Sequence, residues 1–479
     1  MARLVSLLTL MAVSFTAAAV SSPRPVAVQS SGVVFNRDVL PILQRNCQTC
    51  HRPGEVAPMS FLTYESTRPW AKAIKEAVLS KKMPPWFADP HYGDFRNQPT
   101  LTESEVKTLV AWADNGAPEG DAKDKRESIE WPTGLRIHPD VIISMPEAYN
   151  VSAKGPGEIK AFLVPNPFKE DTWVSSIEIR PSDPSVVHHV MLQVPDKTPT
   201  PAPGFSWGAP APTCVPAAAE AFQETPNVKL LAQVPKNFAT LEAVYVPGSP
   251  VTNFQFGDSA KLIPGGGDLR IEVHYTPNGK AVSDQTKIGF KLAKSPPQRR
   301  YVTVAPKSMA NPKIRIPAGE SNWETRGEFE FAQDAQLVWL MPHMHLRGKD
   351  MTFNLISPYG YSETVLSARF NFNWQLGYEL EPIRVRKGTR MVVVAHHDNS
   401  ANNPYNPDPT REVAWGNLTS EEMVLPWFGV IVDRNVDPER ILAVRQTACT
   451  DPAGPALPAS FPAQGLPKLS IPRVIPPKK

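Results

Sequence analysis

Two periodicities divide the chain. From Val34 to Ala117 apolar residues recur at helical spacing, in a short amphipathic pattern from Asn36 to Arg45, a second from Ser66 to Lys82, and a third through Val106, Leu109, Val110 and Trp112. Thr102-Glu103-Ser104-Glu105 opens the third with capping-box spacing, and Asn115-Gly116 closes it. After a stretch of mixed charge from Gly120 to Glu130, the pattern changes to short β-rich runs split by Pro, Gly, Asn and Asp clusters. These runs are Trp173 to Ile179, Val186 to Val194, Leu269 to Thr276 and Lys287 to Leu292. A second set begins near Tyr301 and includes Gly327 to Phe331, Gln336 to Leu340, Met351 to Ile356 and Arg390 to Ala395. Runs of this kind predict antiparallel sandwiches. The expected fold is therefore multidomain: an all-α unit over 31–120, a linker over 121–132, and two all-β antiparallel sandwiches over 133–300 and 301–450. Thr198 to Ala219 reads as a Pro/Ala-rich surface loop, and 451–479 as a Pro-rich tail without periodicity.

Composition agrees with a folded, loop-rich protein. The 479 residues include 53 prolines, yet 41% are hydrophobic and 20% charged. At about 100 to 200 residues per domain, three domains are expected. The net charge of +3 comes from 50 basic and 47 acidic residues with no long run of one sign, which argues against a nucleic-acid partner. Arg3, the apolar run Leu4 to Phe15 and Ala17-Ala18-Ala19 have the layout of a secretory signal peptide over 1–20. An uncleaved anchor is the alternative, but the run falls short of the ~20 apolar residues a spanning helix needs. The expected location is periplasmic or extracellular, with no transmembrane segment in the mature form. Of the four cysteines, Cys214 and Cys449 are open to a disulfide or to two separate thiols.

The other two stand in Cys47-Gln48-Thr49-Cys50-His51, the signature of covalent haem attachment. Two thiols form thioethers to the porphyrin vinyl groups, and the adjacent imidazole reaches the iron. A zinc knuckle or a redox dithiol is the alternative; zinc would want a second Cys-x-x-Cys, and export favours haem. Met83 is the candidate for the other face of the iron, being 32 residues beyond His51, with His91 the runner-up and Met59 too near in sequence. A Met/His pair raises the reduction potential, which suits an electron carrier. The region resembles a class I cytochrome c domain over roughly 85 residues.

Histidine placement is the second chemical signal. Only 10 occur, and five lie in β-like runs: His188-His189, His274, and His343-x-His345 in Leu340-Met341-Pro342-His343-Met344-His345-Leu346. Alternation along a strand points both rings of a His-x-His pair the same way. Adjacent His188 and His189 would face opposite ways in a regular strand, so joint use requires a bulge or strand end, which Pro184 favours. Met423 follows in Leu418-Thr419-Ser420-Glu421-Glu422-Met423. In order and type these residues resemble the copper type II, ascorbate-dependent monooxygenases, the family of peptidylglycine alpha-hydroxylating monooxygenase and dopamine beta-monooxygenase. The resemblance spans about 300 residues, though only the short motifs are specific. It implies that His188, His189 and His274 hold one copper that stores an electron. It also implies that His343, His345 and Met423 hold a second that meets oxygen, the two sets facing each other across a gap. A thioether favours Cu(I), which fits that division. His396-His397 is not used by the family pattern and reads as supporting structure, and His138 as exposed. Unlike the animal enzymes, this β half is poor in cysteine, and no motif marks a substrate pocket.

The function expected is an exported copper monooxygenase that hydroxylates a C–H bond of a small-molecule or peptide substrate with O2. One haem and two coppers are its cofactors. Electrons arrive through the haem from a cytochrome, a quinol-linked donor or an ascorbate-like reductant. The alternatives are a non-catalytic electron-transfer or copper-holding protein, and a structural sandwich attached to a cytochrome.

Overall fold

The computed structural model describes residues 32–132, 134–155, 157–195, 238–248, 251–304, 314–416 and 418–442. The expected signal peptide, the Thr198 to Ala219 loop, Cys214, Cys449 and the 451–479 tail lie outside them. The described chain is β-rich, with its α-helices gathered before residue 115.

The helices Leu40–Asn46, Ala71–Leu79 and Glu103–Asp114 pack through Phe35, Leu43, Ile74, Leu109 and Trp112. Each such side chain contributes about 2 kcal/mol on burial. The middle helix is shorter than its sequence pattern, because Pro69 turns Arg68–Trp70 into a 3-10 segment before it. The last begins at the expected capping box: Thr102 Oγ1 accepts from the Glu105 N–H at 3.2 Å, and Glu105 Oε2 accepts from the Thr102 N–H at 2.8 Å. Gly116, with φ at 82°, ends it, letting the Ala117 N–H reach the Trp112 carbonyl at 2.9 Å.

Among the described residues, the β region holds one nine-stranded sheet and two four-stranded sheets, with two further two-stranded pairs. The first four-stranded sheet orders Glu158–Pro165, Asp268–Tyr275, Val187–Pro195 and Phe238–Tyr245; the second orders Trp323–Glu330, Arg390–His397, Gly348–Ile356 and Ser362–Arg369. The nine-stranded sheet runs through both halves of the β region. Its join is a parallel pairing of Arg299–Val304 with Ser259–Ile263, in a sheet whose other pairings are antiparallel. Strand Arg299–Val304 thus straddles position 300.

Along this sheet, Ala335–Met344 lies between Val424–Asp433 and Tyr378–Val385. Leu340, Met344, Val424 and Phe428 pack into the core shared with the second four-stranded sheet. From the opposite face Trp339, Met341 and Trp427 enter the core built on the first. His343 follows Trp339 and Met341 at intervals of two, so strand alternation aims it at the first sheet. Among the described residues no helix is long and apolar enough to cross a membrane.

Candidate metal centre

His189 and His274 are directly paired across strands Val187–Pro195 and Asp268–Tyr275. The register slips by one residue between Val187 and His189, so His188 is the extra residue of a β-bulge. That slip puts neighbouring imidazoles on one side, as the sequence requires. Ligand nitrogens of His188, His189 and His274 all lie within 4.8 Å of one another. The two Nδ1 atoms of His188 and His189 are 2.9 Å apart. Two nitrogens bound at right angles to one ion at ~2.0 Å would stand about 3 Å apart, so this pair fits a shared ion.

His343 ends its strand pairing opposite Leu425, and Met344 opposite Val424. His345 follows one residue past the strand, its ring centroid 5.6 Å from that of His343. Met423 is buried one residue before Val424, just past the last rung of the ladder, with its backbone beside His397 and Glu422. The five imidazoles form one contiguous group. His189 and His343, from the two halves of the β region, have ring centroids 6.3 Å apart, so no wide gap separates the two sets. The continuous sheet brings the halves this close.

Hydrogen bonds decide which nitrogen each ring offers. His188 Nε2 donates to the Phe372 carbonyl at 2.6 Å, leaving Nδ1 bare toward His189. His343 Nδ1 donates to Gln375 Oε1 at 2.5 Å and His345 Nδ1 to the Glu421 carbonyl at 3.1 Å, leaving Nε2 bare on both. Phe372 stacks on His188 at 4.5 Å and Trp427 on His343 at 5.0 Å. Burial holds these rings neutral: it pushes His188 and His345 down to about 4, and His274 and His343 to about 3. His189 falls well below the ordinary value, for the same reason and through the neighbouring histidines. His274 Nε2 is close against Gly157, where an added Cβ would stand 3.0 Å away.

Behind the second set is a buried polar group that the sequence did not single out. Glu422 accepts the N–H groups of His345 and Arg347 at 3.0 and 2.6 Å, and burial pushes its carboxyl up to about 8 against the pull of those bonds. His397, fully buried, lies 3.6 Å from the same carboxylate, with the Met423 backbone beside its ring. His396 pairs with Asp350 at 2.7 Å, and His138 is exposed. Phe372, Gln375 and Trp427 were likewise missed; they carry no spacing signal, and only their place beside the rings marks them.

The haem-type motif sits at the end of helix Leu40–Asn46. Cys47 and Cys50 are free, and burial pushes their thiols up to about 12 and about 11. The His51 ring stacks on Phe61 at 4.3 Å, and its Nδ1 is buried without a partner. Two free thiols followed directly by an imidazole with one buried, unbonded ring nitrogen fit the donor set that covalent haem would need. Met83 is half-buried and bonded through its N–H to Ala77. The carbonyl of Met59 is the methionine group beside His51, and His91 is exposed and paired with Asp89. Glu55, just beyond the motif, receives Arg52 at 2.6 Å, Arg180 at 2.8 Å and Arg136 at 3.3 Å, the last two from the β region. Cys50 Sγ rests against Gly248.

No protein family matches the chain, and no curated protein matches it. Among solved structures it is similar to the major capsid protein P2 from bacteriophage PM2, at 9% identity and a TM-score of 0.21, over 54% of this chain and 97% of that one. It is also similar to the T13 viral particle of IBDV, at 8% identity and 0.17, over 64% and 73%. Scores this low carry no argument about fold or activity.

Proposed function

We propose that this chain is an exported copper-dependent monooxygenase whose electrons come through a c-type haem in its helical region. The net reaction is R–H + O2 + 2 e− + 2 H+ → R–OH + H2O. The observation that carries it is the convergence of five buried, neutral imidazoles from both halves of the β region, with the bare nitrogens of three of them set by hydrogen bonds on the far side of each ring. Neutral imidazole suits copper, and Met423, buried just past the strand that pairs with that of His343, would add a soft donor to the second set. Bound there, copper supplies one-electron chemistry toward O2. The chain's own part is to hold the rings. Phe372 and Gln375 fix His188 and His343, the Glu421 carbonyl orients His345, and Trp427 and Phe372 keep water from two of the ring faces.

Electron supply from the helical region is supported by its docking. Cys50 meets Gly248 at the end of the segment after Phe238–Tyr245, and Tyr245 is paired with Val190, the neighbour of His189. The distinguishing experiment is metal and haem analysis of the mature protein with EPR, followed by stopped-flow oxidation of the reduced haem. One haem and two coppers are expected, with one copper lost in His345→Ala or Met423→Ala. Haem oxidation by O2 and substrate should slow when copper is removed; an unchanged trace overturns the reading. The aromatic covers on His188 and His343 favour a second reading, a copper protein that only relays electrons. It predicts the same metal content with no O2 consumed beyond slow autoxidation.

A further inference from the structure

The loop between strands Ser362–Arg369 and Tyr378–Val385 touches both histidine sets. Its Phe372 carbonyl holds His188 and its Gln375 Oε1 holds His343, while Gln375 Nε2 reaches the same Phe372 carbonyl at 3.5 Å. One hydrogen-bonded path thus runs from His188 to His343 through this loop. The N-terminal region grips both of its ends. On one side the Asp89 N–H donates to the Ser367 carbonyl at 2.7 Å and the Arg369 N–H to the Phe87 carbonyl at 3.1 Å. On the other the Arg96 N–H donates to the Glu379 carbonyl and the Glu381 N–H to the Asp94 carbonyl, at 2.8 and 2.9 Å. Trp86 and Phe95 close around Tyr378 at 4.9 and 5.6 Å.

Asn97 completes this hold at the exit of the loop. Its Nδ2 donates to the Gly377 carbonyl at 2.8 Å and its Oδ1 accepts the Glu379 N–H at 2.9 Å, so one amide replaces a strand partner on both groups. Gly377 has little slack, since a Cβ there would lie 2.5 Å from Trp339 Nε1. Trp339 is on the His343 strand. The loop's last residue is therefore clamped between the N-terminal region and the strand that carries the second histidine set.

We propose that Asn97 is a positioning residue for the histidine centre, acting through the loop so that the N-terminal region sets which nitrogen His188 and His343 present. A rigid strap makes the metal geometry depend on the docked helical region. Loosening the loop frees the Phe372 carbonyl and Gln375 together, and both rings lose the bond that fixes their tautomer. The proposal rests on the metal-centre reading in its copper arm alone.

The experiment uses the full chain labelled with 15N-histidine and free of metal. Long-range proton–nitrogen correlation is expected to show His188 protonated on Nε2 and His343 on Nδ1 in the parent protein, and mixed tautomers for both in Asn97→Ala. Asn97→Asp retains the acceptor for Glu379 and loses the donor to Gly377, so it should fold and show an intermediate mixture. Arg96→Ala removes only a side chain, 3.7 Å from Glu381, and should leave both tautomers alone. In a chelator competition, Asn97→Ala should weaken Cu(I) by about tenfold, the lower end of what loss of an outer hydrogen bond costs. Unchanged tautomers in folded Asn97→Ala or Asn97→Asp overturn the proposal. A parent protein that binds no Cu(I) overturns the metal-centre reading, and the tautomer result then decides the positioning role by itself.

Discussion

At His188 a single extra residue reverses the direction of a side chain, and the chemistry of the centre follows from it. Replacing His188 by Val keeps the β-branched preference of the strand but removes one of three nitrogens. Copper at the first set should then bind at least ~10-fold more weakly, by titration against a chromophoric chelator. Glu422 supports the second set through backbone N–H groups. Glu422→Gln keeps one acceptor oxygen and turns an NH2 donor against the other N–H. A loss of about 1–3 kcal/mol in urea unfolding is expected, from a buried donor left without a partner. Acid should also weaken the metal-free protein. His188, His274, His343 and His345 are held between about 3 and about 4, so between pH ~6.5 and ~4 the unfolded chain binds protons that the folded chain refuses. Stability from these groups is intact above pH ~6.5 and falls below it. Urea midpoints across that window should drop less steeply in His343→Gln, where the group cannot titrate.

Among the elements, those with their own local signal were readable from the sequence. The Thr102 capping box and Gly116 stop lie where the sequence put them, and Thr102→Ala should lower stability of the helical region by about 1 kcal/mol, read by thermal unfolding. Lys287–Leu292 has the bounds its apolar run gives. The His343 strand runs further than its apolar run, past Pro342 to Met344, because Pro342 faces Pro426 and two residues without an N–H share a rung. Val424–Asp433 and Tyr378–Val385 were not read as strands, though they flank that strand in the sheet. Tyr378–Val385 carries Glu379, Glu381, Pro382 and Arg384 among its apolar residues, while Val424–Asp433 is almost continuously apolar and buried on both faces, a run that periodicity alone does not assign to strand or helix.

Over the whole molecule, the described residues tie the helical region to the β region through the Glu55 cluster, the contact of Cys50 with Gly248 and the segment from Trp86 to Asn97. Glu55→Ala would leave three arginines without their shared carboxylate. The opening free energy around Tyr245 and Gly248 should fall by about 3 kcal/mol, seen as faster amide exchange there but not in the strands around Leu340.

The sequence by itself determined the order of helical and β-rich regions, the haem-type motif, and the six candidate donors of the β half, because periodicity, caps and residue chemistry are local. It also required a distortion at His188-His189, since neighbours in a flat strand cannot share a face. Only the tertiary structure decided that one sheet runs through both halves, that the two histidine sets touch, and that Phe372, Gln375 and Glu422 orient them. Those are contacts between residues far apart in the chain, made by packing two faces of one sheet, and no spacing along the sequence encodes them.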